Sequence, residues 1–242
     1  MSCMNILYLM GSAQDSPTLS LAYAHQSTLA QFIYRDRTNI FPISNMPDRW
    51  KQKRNTMNRY DRTARTYDIQ YSQEQDAKIQ AALENSRIDD NAMILDAGCG
   101  TGLLFHHIAK RAKLIVGIDT SLNLLRRAET KAKAYSSDAI IRADVDYAPF
   151  IARTFTHALA LTLLQNMPRP ATTLEEIKRT TETNATIIIT GLKKHFTLED
   201  LKKLLTKEQL EITSLNTNEK LKDYIAVCRK NLQAHILQPF SQ

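Results

Sequence analysis

The 242-residue sequence predicts an α/β fold: a doubly wound, mostly parallel sheet with helices on both faces. Three observations carry that expectation. Residues 92–102, Ala-Met-Ile-Leu-Asp-Ala-Gly-Cys-Gly-Thr-Gly, read as a short buried strand that enters a glycine turn and then a helical pattern. Apolar runs that end in a carboxylate recur at Asp96, Asp119 and Asp144, spaced 23 and 25 residues apart. Two further apolar runs, 210–215 and 224–229, close the pattern.

Bulk properties fit that class. An apolar content of 43% is enough for a sizeable core. No apolar run approaches the ~20 residues of a membrane span, and the patch Met4–Met10 lacks the positive flank of a signal peptide. Cys3, Cys99 and Cys228 are few, odd in number and far apart, which argues against a disulfide framework. No C-x-x-C occurs, so no metal site is suggested, and the cytoplasm is the simplest location. The formal charge is +7, and residues 49–65 carry nearly all of it. Arg49, Lys51, Lys53, Arg54, Arg59, Arg62 and Arg65 face only Asp61 there, a concentration suited to RNA or another polyanion.

In chain order, residues 1–45 lack sustained periodicity and read as an extension, poorly ordered or loosely docked, with a short helix around 19–32. Met46 and Met57 offer alternative translation starts. Tyr60, Ala64 and Tyr67 share one helical face, and 73–83 forms an amphipathic helix with Ile79, Ala82 and Leu83 inward. Asn85, Ser86 and the cluster 89–91 end it with turn chemistry. After the glycine turn, 103–112 reads as a helix with Leu104, Ile108 and Ala112 on one face. The run 114–119 is a strand ending in Asp119, whose carboxylate can accept from two ribose hydroxyls. Helix 121–135, with Ser121 able to cap it, leads to strand 139–144. Strand 155–161 and its exit loop, helix 170–183 and strand 186–192 follow. Thr197 and Asp200 read as a capping box for helix 197–205, before the two closing strands and a tail.

The glycine stretch, Asp96-x-Gly98-x-Gly100-x-Gly102, resembles the first motif of small single-domain class I S-adenosylmethionine-dependent methyltransferases. Residues 60–68 are similar to the Y-D-x-x-A-x-x-Y-D segment that precedes the core in many of them, and 144–150 to their D-x-x-x-L-P-F stretch, with Ala148 in place of Leu. The resemblance implies a Rossmann-like, seven-stranded sheet whose last strand is antiparallel. It divides the chain into an extension (1–45), a basic arm and helical cap over the cofactor site (46–90), a methyltransferase core (91–230) and a tail (231–242). The implied cofactor is S-adenosylmethionine. The implied cofactor set is Asp96, Gly98, Cys99, Gly100, Gly102, Asp119, Thr120, Asp144 and Val145, with Tyr60 and Tyr67 from the cap. Gln165 and Asn166 fall on the substrate side. The sequence Gln165-Asn166-Met167-Pro168 is not N/D-P-P-Y/F/W, which lowers the weight of base-amine or glutamine-amide acceptors. A small molecule, RNA and protein remain as acceptor classes, and a small activator subunit as a partner. A catalytically silent binding module or partner subunit is the alternative reading. Among His106, His107, His157 and His195 none is assigned as a general base.

Overall fold

A computed structural model of the chain describes residues 7–8, 47–108, 111–134 and 138–231. The expectations for the rest of 1–45 and for the C-terminal tail lie outside these residues.

The described chain runs β1 (Leu7–Tyr8), α1 (Pro47–Leu83), β2 (Met93–Ala97), α2 (Phe105–Ile108), β3 (Leu114–Asp119), α3 (Leu122–Ala132), β4 (Asp138–Arg142), β5 (Phe155–Ala160), α4 (Pro170–Thr180), β6 (Thr181–Leu192), α5 (Leu198–Lys207), β7 (Leu210–Asn216) and β8 (Asp223–Lys230). The sheet order is β1-β4-β3-β2-β5-β6-β8-β7. Pairings from β1 through β6 are parallel, and β8 lies antiparallel to both β6 and β7. Strands β2–β8 make the expected seven-stranded sheet, and Leu7–Tyr8 adds a two-residue edge against Ile141 and Arg142.

Alternation along the strands divides the core between two faces. Leu95, Val116, Ile141, Ala158 and Ile187 pack with Leu174 and Ile177 of α4 and with Leu201 and Leu205 of α5. Their neighbours Ile94, Ile115, Ile140, Leu159 and Ile188 pack with Ile79 of α1, Phe105 of α2 and Leu125 and Ala128 of α3. Both faces are covered by helices, so strands buried on each side read as continuous apolar runs. Strand order reverses between β2 and β5, which opens a crevice at their carboxyl ends.

Helix α1 is longer than the sequence pattern indicated. It runs unbroken for 37 residues, because Pro47 opens it and neither Gly nor another Pro follows within it. By contrast α2 has only four residues. After Gly102 the chain winds in tight i→i−3 turns, Phe105 N–H to Gly102 C=O and His107 N–H to Leu104 C=O, before any longer helix forms. Strand β6 begins at Thr181, where the hydroxyls of Thr180 and Thr181 donate back to carbonyls of residues 176–178 and end α4. Both caps read from the sequence are present. Ser121 Oγ accepts from Leu124 N–H, and Thr197 Oγ1 accepts from Asp200 N–H. Among the described residues no helix is long and apolar enough to cross a membrane.

One buried ion pair fastens α1 to the sheet. Lys78, 1% exposed, places Nζ 2.7 Å from Oδ2 of Asp223, which is fully buried at the start of β8, and donates to Thr162 Oγ1 at 2.8 Å. Removing one partner leaves the other charge buried and uncompensated. Lys78→Met is therefore expected to lower stability by about 3–5 kcal/mol in urea unfolding. The double substitution Lys78→Met with Asp223→Leu is expected to recover most of that loss, because no lone charge remains.

Candidate active site

The crevice between β2 and β5 is built on the glycine turn. Gly98 and Cys99 N–H both donate to Ile118 C=O, at 2.8 and 3.0 Å, which seats the turn against the end of β3. Gly100 sits at φ +56°, and a Cβ there would meet nothing within 4 Å. Its missing side chain leaves open space that a ligand can enter. Its N–H donates to Asp119 Oδ2 at 3.0 Å. Gly102 serves a different purpose. A Cβ at its φ of +74° would press on Phe105 and the Ala128 backbone, so this glycine lets α2 and α3 pack closely and does not line the cavity.

Three carboxylates face the crevice. Asp96, at the end of β2, is buried, and its Oδ2 has no hydrogen-bond partner. Burial, with the nearby charge of Asp119, raises its pKa to about 8. Asp119 accepts from Gly100 N–H on Oδ2 and from Ser121 N–H on Oδ1 at 2.8 Å. The Thr120 N–H also faces this carboxylate, so three backbone amides hold it and about one of its four lone pairs remains for a further donor. Burial raises the Asp119 pKa despite these amide bonds. Asp144 takes the ammonium of Lys53, from α1, on both oxygens at 2.8 and 2.7 Å. Asp146, which the sequence left as a weaker candidate, shares that ammonium and accepts from Thr173.

Helix α1 roofs this floor through polar contacts along its length. Besides Lys53, Arg59 donates to Asn166 Oδ1, and Asn166 Nδ2 donates to Tyr60 Oη and Thr162 C=O. Asp61 accepts from Ser121 Oγ and Asn123 N–H. Asp68 accepts from Thr101 Oγ1 and Lys131. Together they enclose a cavity of about 120 Å³. Its wall includes Tyr60, Tyr67, Asp96, Gly98, Cys99, Gly100, Asp119, Thr120, Asp144, Val145 and Asn166 from the sequence-derived set. Gly102 and Gln165 of that set lie outside it.

Met167, which the sequence places beside Asn166 on the acceptor side, lines it too, as do Lys53, Gln75 and Thr162, which the sequence did not single out for the site. Their only sequence signal was indirect: each flanks a motif residue or sits on the arm.

The basic segment divides in two. Lys53 and Arg59 turn toward the floor, while Lys51, Arg54, Arg62 and Arg65 repeat at helical spacing along the exposed side. No histidine is on the cavity wall among the described residues. His157, at the start of β5, sits within 3.0 Å of Arg87 C=O, and burial lowers its pKa. Cys99 does reach the wall, but burial pushes its thiol well above the ordinary range, so it stays un-ionised and weakly nucleophilic.

Residues 95–189 match the family described as "Methyltransferase domain". Over that stretch the chain is similar to methyltransferase domains, and its sheet has the fold of S-adenosylmethionine-dependent methyltransferases of known structure. A demethylmenaquinone methyltransferase of Bacillus licheniformis is 30% identical over 104 residues, 42% of this chain and 45% of that protein. An uncharacterised protein of Methanocaldococcus jannaschii is 25% identical over 134 residues, 54% of this chain and 49% of that protein. This chain thus spans less than half the length of these curated relatives. The crystal structure of a SAM-dependent methyltransferase from Aquifex aeolicus shares the fold, with TM-score 0.57 and 14% identity over 62% of this chain and 88% of that one.

The methyltransferase domain's residues fit the cofactor that its family implies. The open side of Gly100, the carboxylate of Asp119 and the unpartnered Oδ2 of Asp96 offer, in turn, close backbone approach, an acceptor for sugar hydroxyls and a carboxyl that can ionise beside a cationic ligand group. Asp96 also makes binding pH-dependent. Between about pH 4 and pH 8 the native state holds a proton on Asp96 that the unfolded chain has lost, so its contribution to stability declines as pH rises across that window. A cationic ligand beside Asp96 reverses the preference. S-adenosylmethionine binding at pH 7 is therefore expected to release a proton from Asp96, and its affinity to rise toward pH 8. Calorimetry in buffers of differing ionisation enthalpy measures this release, which Asp96→Asn is expected to remove.

Proposed function

We propose that this chain transfers the methyl group of S-adenosylmethionine to a small nucleophilic acceptor held beneath α1. The observation that carries this reading is the arrangement at the crevice: Asp119 is pinned by the amides of Gly100, Thr120 and Ser121 on the cavity wall, beside a turn with open space at Gly100. When bound, the cofactor supplies a methyl carbon already activated by its sulfonium. The protein's task is then to align the acceptor opposite the sulfur and exclude water.

The residues divide that task. Asp119 orients the sugar hydroxyls. The carboxylate of Asp144 and the N–H of Val145 face the base edge, and Lys53 must yield part of its hold on Asp144 as the base arrives. Asp96, ionised in the complex, holds the ligand's ammonium. Tyr60 and Tyr67, with ring centroids 6.0 Å apart, exclude water from the roof. Burial raises the Tyr67 pKa further, so its phenol stays protonated and donates instead of acting as a base. The acceptor is one that is nucleophilic as bound, such as an amine or a thiolate, since among the described residues no histidine lines the wall to serve as its base. Asn166 has committed both amide protons to Tyr60 and Thr162, and its Oδ1 already accepts from Arg59, so it braces the roof instead of orienting an acceptor.

The roof that α1 places over the crevice supports a small acceptor over RNA. The stripe of Lys51, Arg54, Arg62 and Arg65 lies on the side of α1 opposite Lys53, Tyr60 and Ala64. A polyanion bound there would sit outside the cavity and not deliver its own atoms into it.

Two measurements test the proposal. Purified protein is expected to bind S-adenosylmethionine in calorimetry, and Asp119→Ala to weaken that binding by roughly tenfold or more while circular dichroism shows an unchanged fold. Labelled methyl transfer into fractionated cell extract is expected to label the small-molecule fraction. Label in RNA or protein would overturn the acceptor class. Binding without any transfer would instead identify a binding module.

A further inference from the structure

We propose that Asp76, His106 and His107 form a binding site for a divalent transition metal of the zinc class, at the junction of α1 and α2. Nε2 of His107 lies 3.0 Å from Asp76 Oδ1, and Nε2 of His106 lies 3.7 Å from the same oxygen. All three ligand atoms fall within 4.8 Å of one another. A tetrahedral zinc ion with bonds of about 2.0–2.1 Å separates its ligand atoms by about 3.3 Å. The two Asp76 distances bracket that value, and the third pair, the two histidine nitrogens, lies within 4.8 Å, so rotation of the exposed His106 ring brings the set to tetrahedral spacing.

The arrangement of the two rings is the second observation. Consecutive residues on a helix point about 100° apart and do not ordinarily meet. Here the imidazoles lie side by side, with centroids 3.9 Å apart, and both turn Nε2 toward one carboxylate oxygen. Two protonated rings at that separation would repel each other. Two neutral rings can instead present lone pairs beside an anion, the donor set that a cation satisfies. Two nitrogens and one oxygen suit zinc, nickel or copper better than calcium or magnesium, which prefer oxygen alone. The side chains of His106 and Asp76 are 45% and 37% exposed, which gives the ion access and leaves a fourth position for water.

The site lies outside the cavity but couples its two sides. Asp76 follows Gln75, which lines the wall from α1, and the histidines follow the glycine turn by one short segment. A metal there ties the roof to the turn. Binding of a ligand that the folded state alone recognises adds to stability by mass action. The inference does not depend on which acceptor the enzyme uses, or on methyl transfer itself.

The test uses the full chain, stripped with chelator and dialysed. Zn²⁺ titrated by calorimetry is expected to give a binding event that is absent from His106→Ala/His107→Ala and weakened in Asp76→Asn. Co²⁺ is expected to give visible d–d bands in the wild type and not in the double variant. His106→Gln/His107→Gln, which keeps polarity and size, provides the same comparison should the alanine pair alter the fold by circular dichroism. Absence of Zn²⁺ uptake by the wild type, or uptake of equal stoichiometry and affinity by either double variant, would overturn the proposal. Zn²⁺ is also expected to raise the Tm of the wild type and not that of the double variants; an equal rise in all three would place the ion elsewhere.

Discussion

The site depends on the carboxylate of Asp119. One oxygen holds the glycine turn through Gly100, and the other holds the start of α3 through Ser121. Ser121 in turn caps α3 with its oxygen and donates its hydroxyl proton to Asp61 of the roof. A single side chain thereby connects the turn, the sheet, one flanking helix and, at one remove, the lid. Its burial carries an electrostatic cost, visible in its raised pKa, that three amide donors only partly offset. Strain of this kind is expected where a ligand, and not the protein alone, completes the set of partners.

The roof follows a different physical logic from the core. Most helices in this fold attach by an apolar stripe, as α3 does through Leu125, Ala128 and Ala132. Toward its C-terminal end α1 also does so, through Ile79 and Ala82. Over the crevice it relies on Lys53, Arg59, Tyr60, Asp61, Asp68 and Gln75, each paired across to the core. Partly exposed polar pairs are individually weak and exchange readily with water or with a ligand. A lid held in this manner can release part of its grip locally while its buried end stays fixed by Lys78 and Asp223.

This difference also explains what the sequence disclosed. Strands such as 114–119 and 187–189 were legible because residues buried on both faces must all be apolar. The carboxylates at 96, 119 and 144 were legible because strand ends at a crevice recur at the length of one strand–helix unit. The continuity of α1 was not, because polar inward residues such as Lys53, Gln75 and Lys78 interrupt the apolar period between its two readable stretches. Nor was the shortness of α2, which depends on how the chain winds out of Gly102. Gly102 and Gln165 matched in spacing but not in direction: the first faces Phe105, and the second keeps its amide oxygen away from the cavity. Lys53 and Lys78 were invisible as site residues, since their partners lie 91 and 145 positions away. The convergence of Asp76 with His106 and His107 is equally non-local.

The insertion of β8 between β6 and β7 sets an order on the protein's assembly. The far edge of the sheet cannot close until residues 223–230, nearly the last described, have been synthesised. Asp223, which opens that strand, is also the anchor for Lys78. The lid, made early, thus waits for a strand made late before its inner end is secured. Long-range pairings of this sort close slowly. A nascent chain will complete the crevice before it can secure the inner end of its lid.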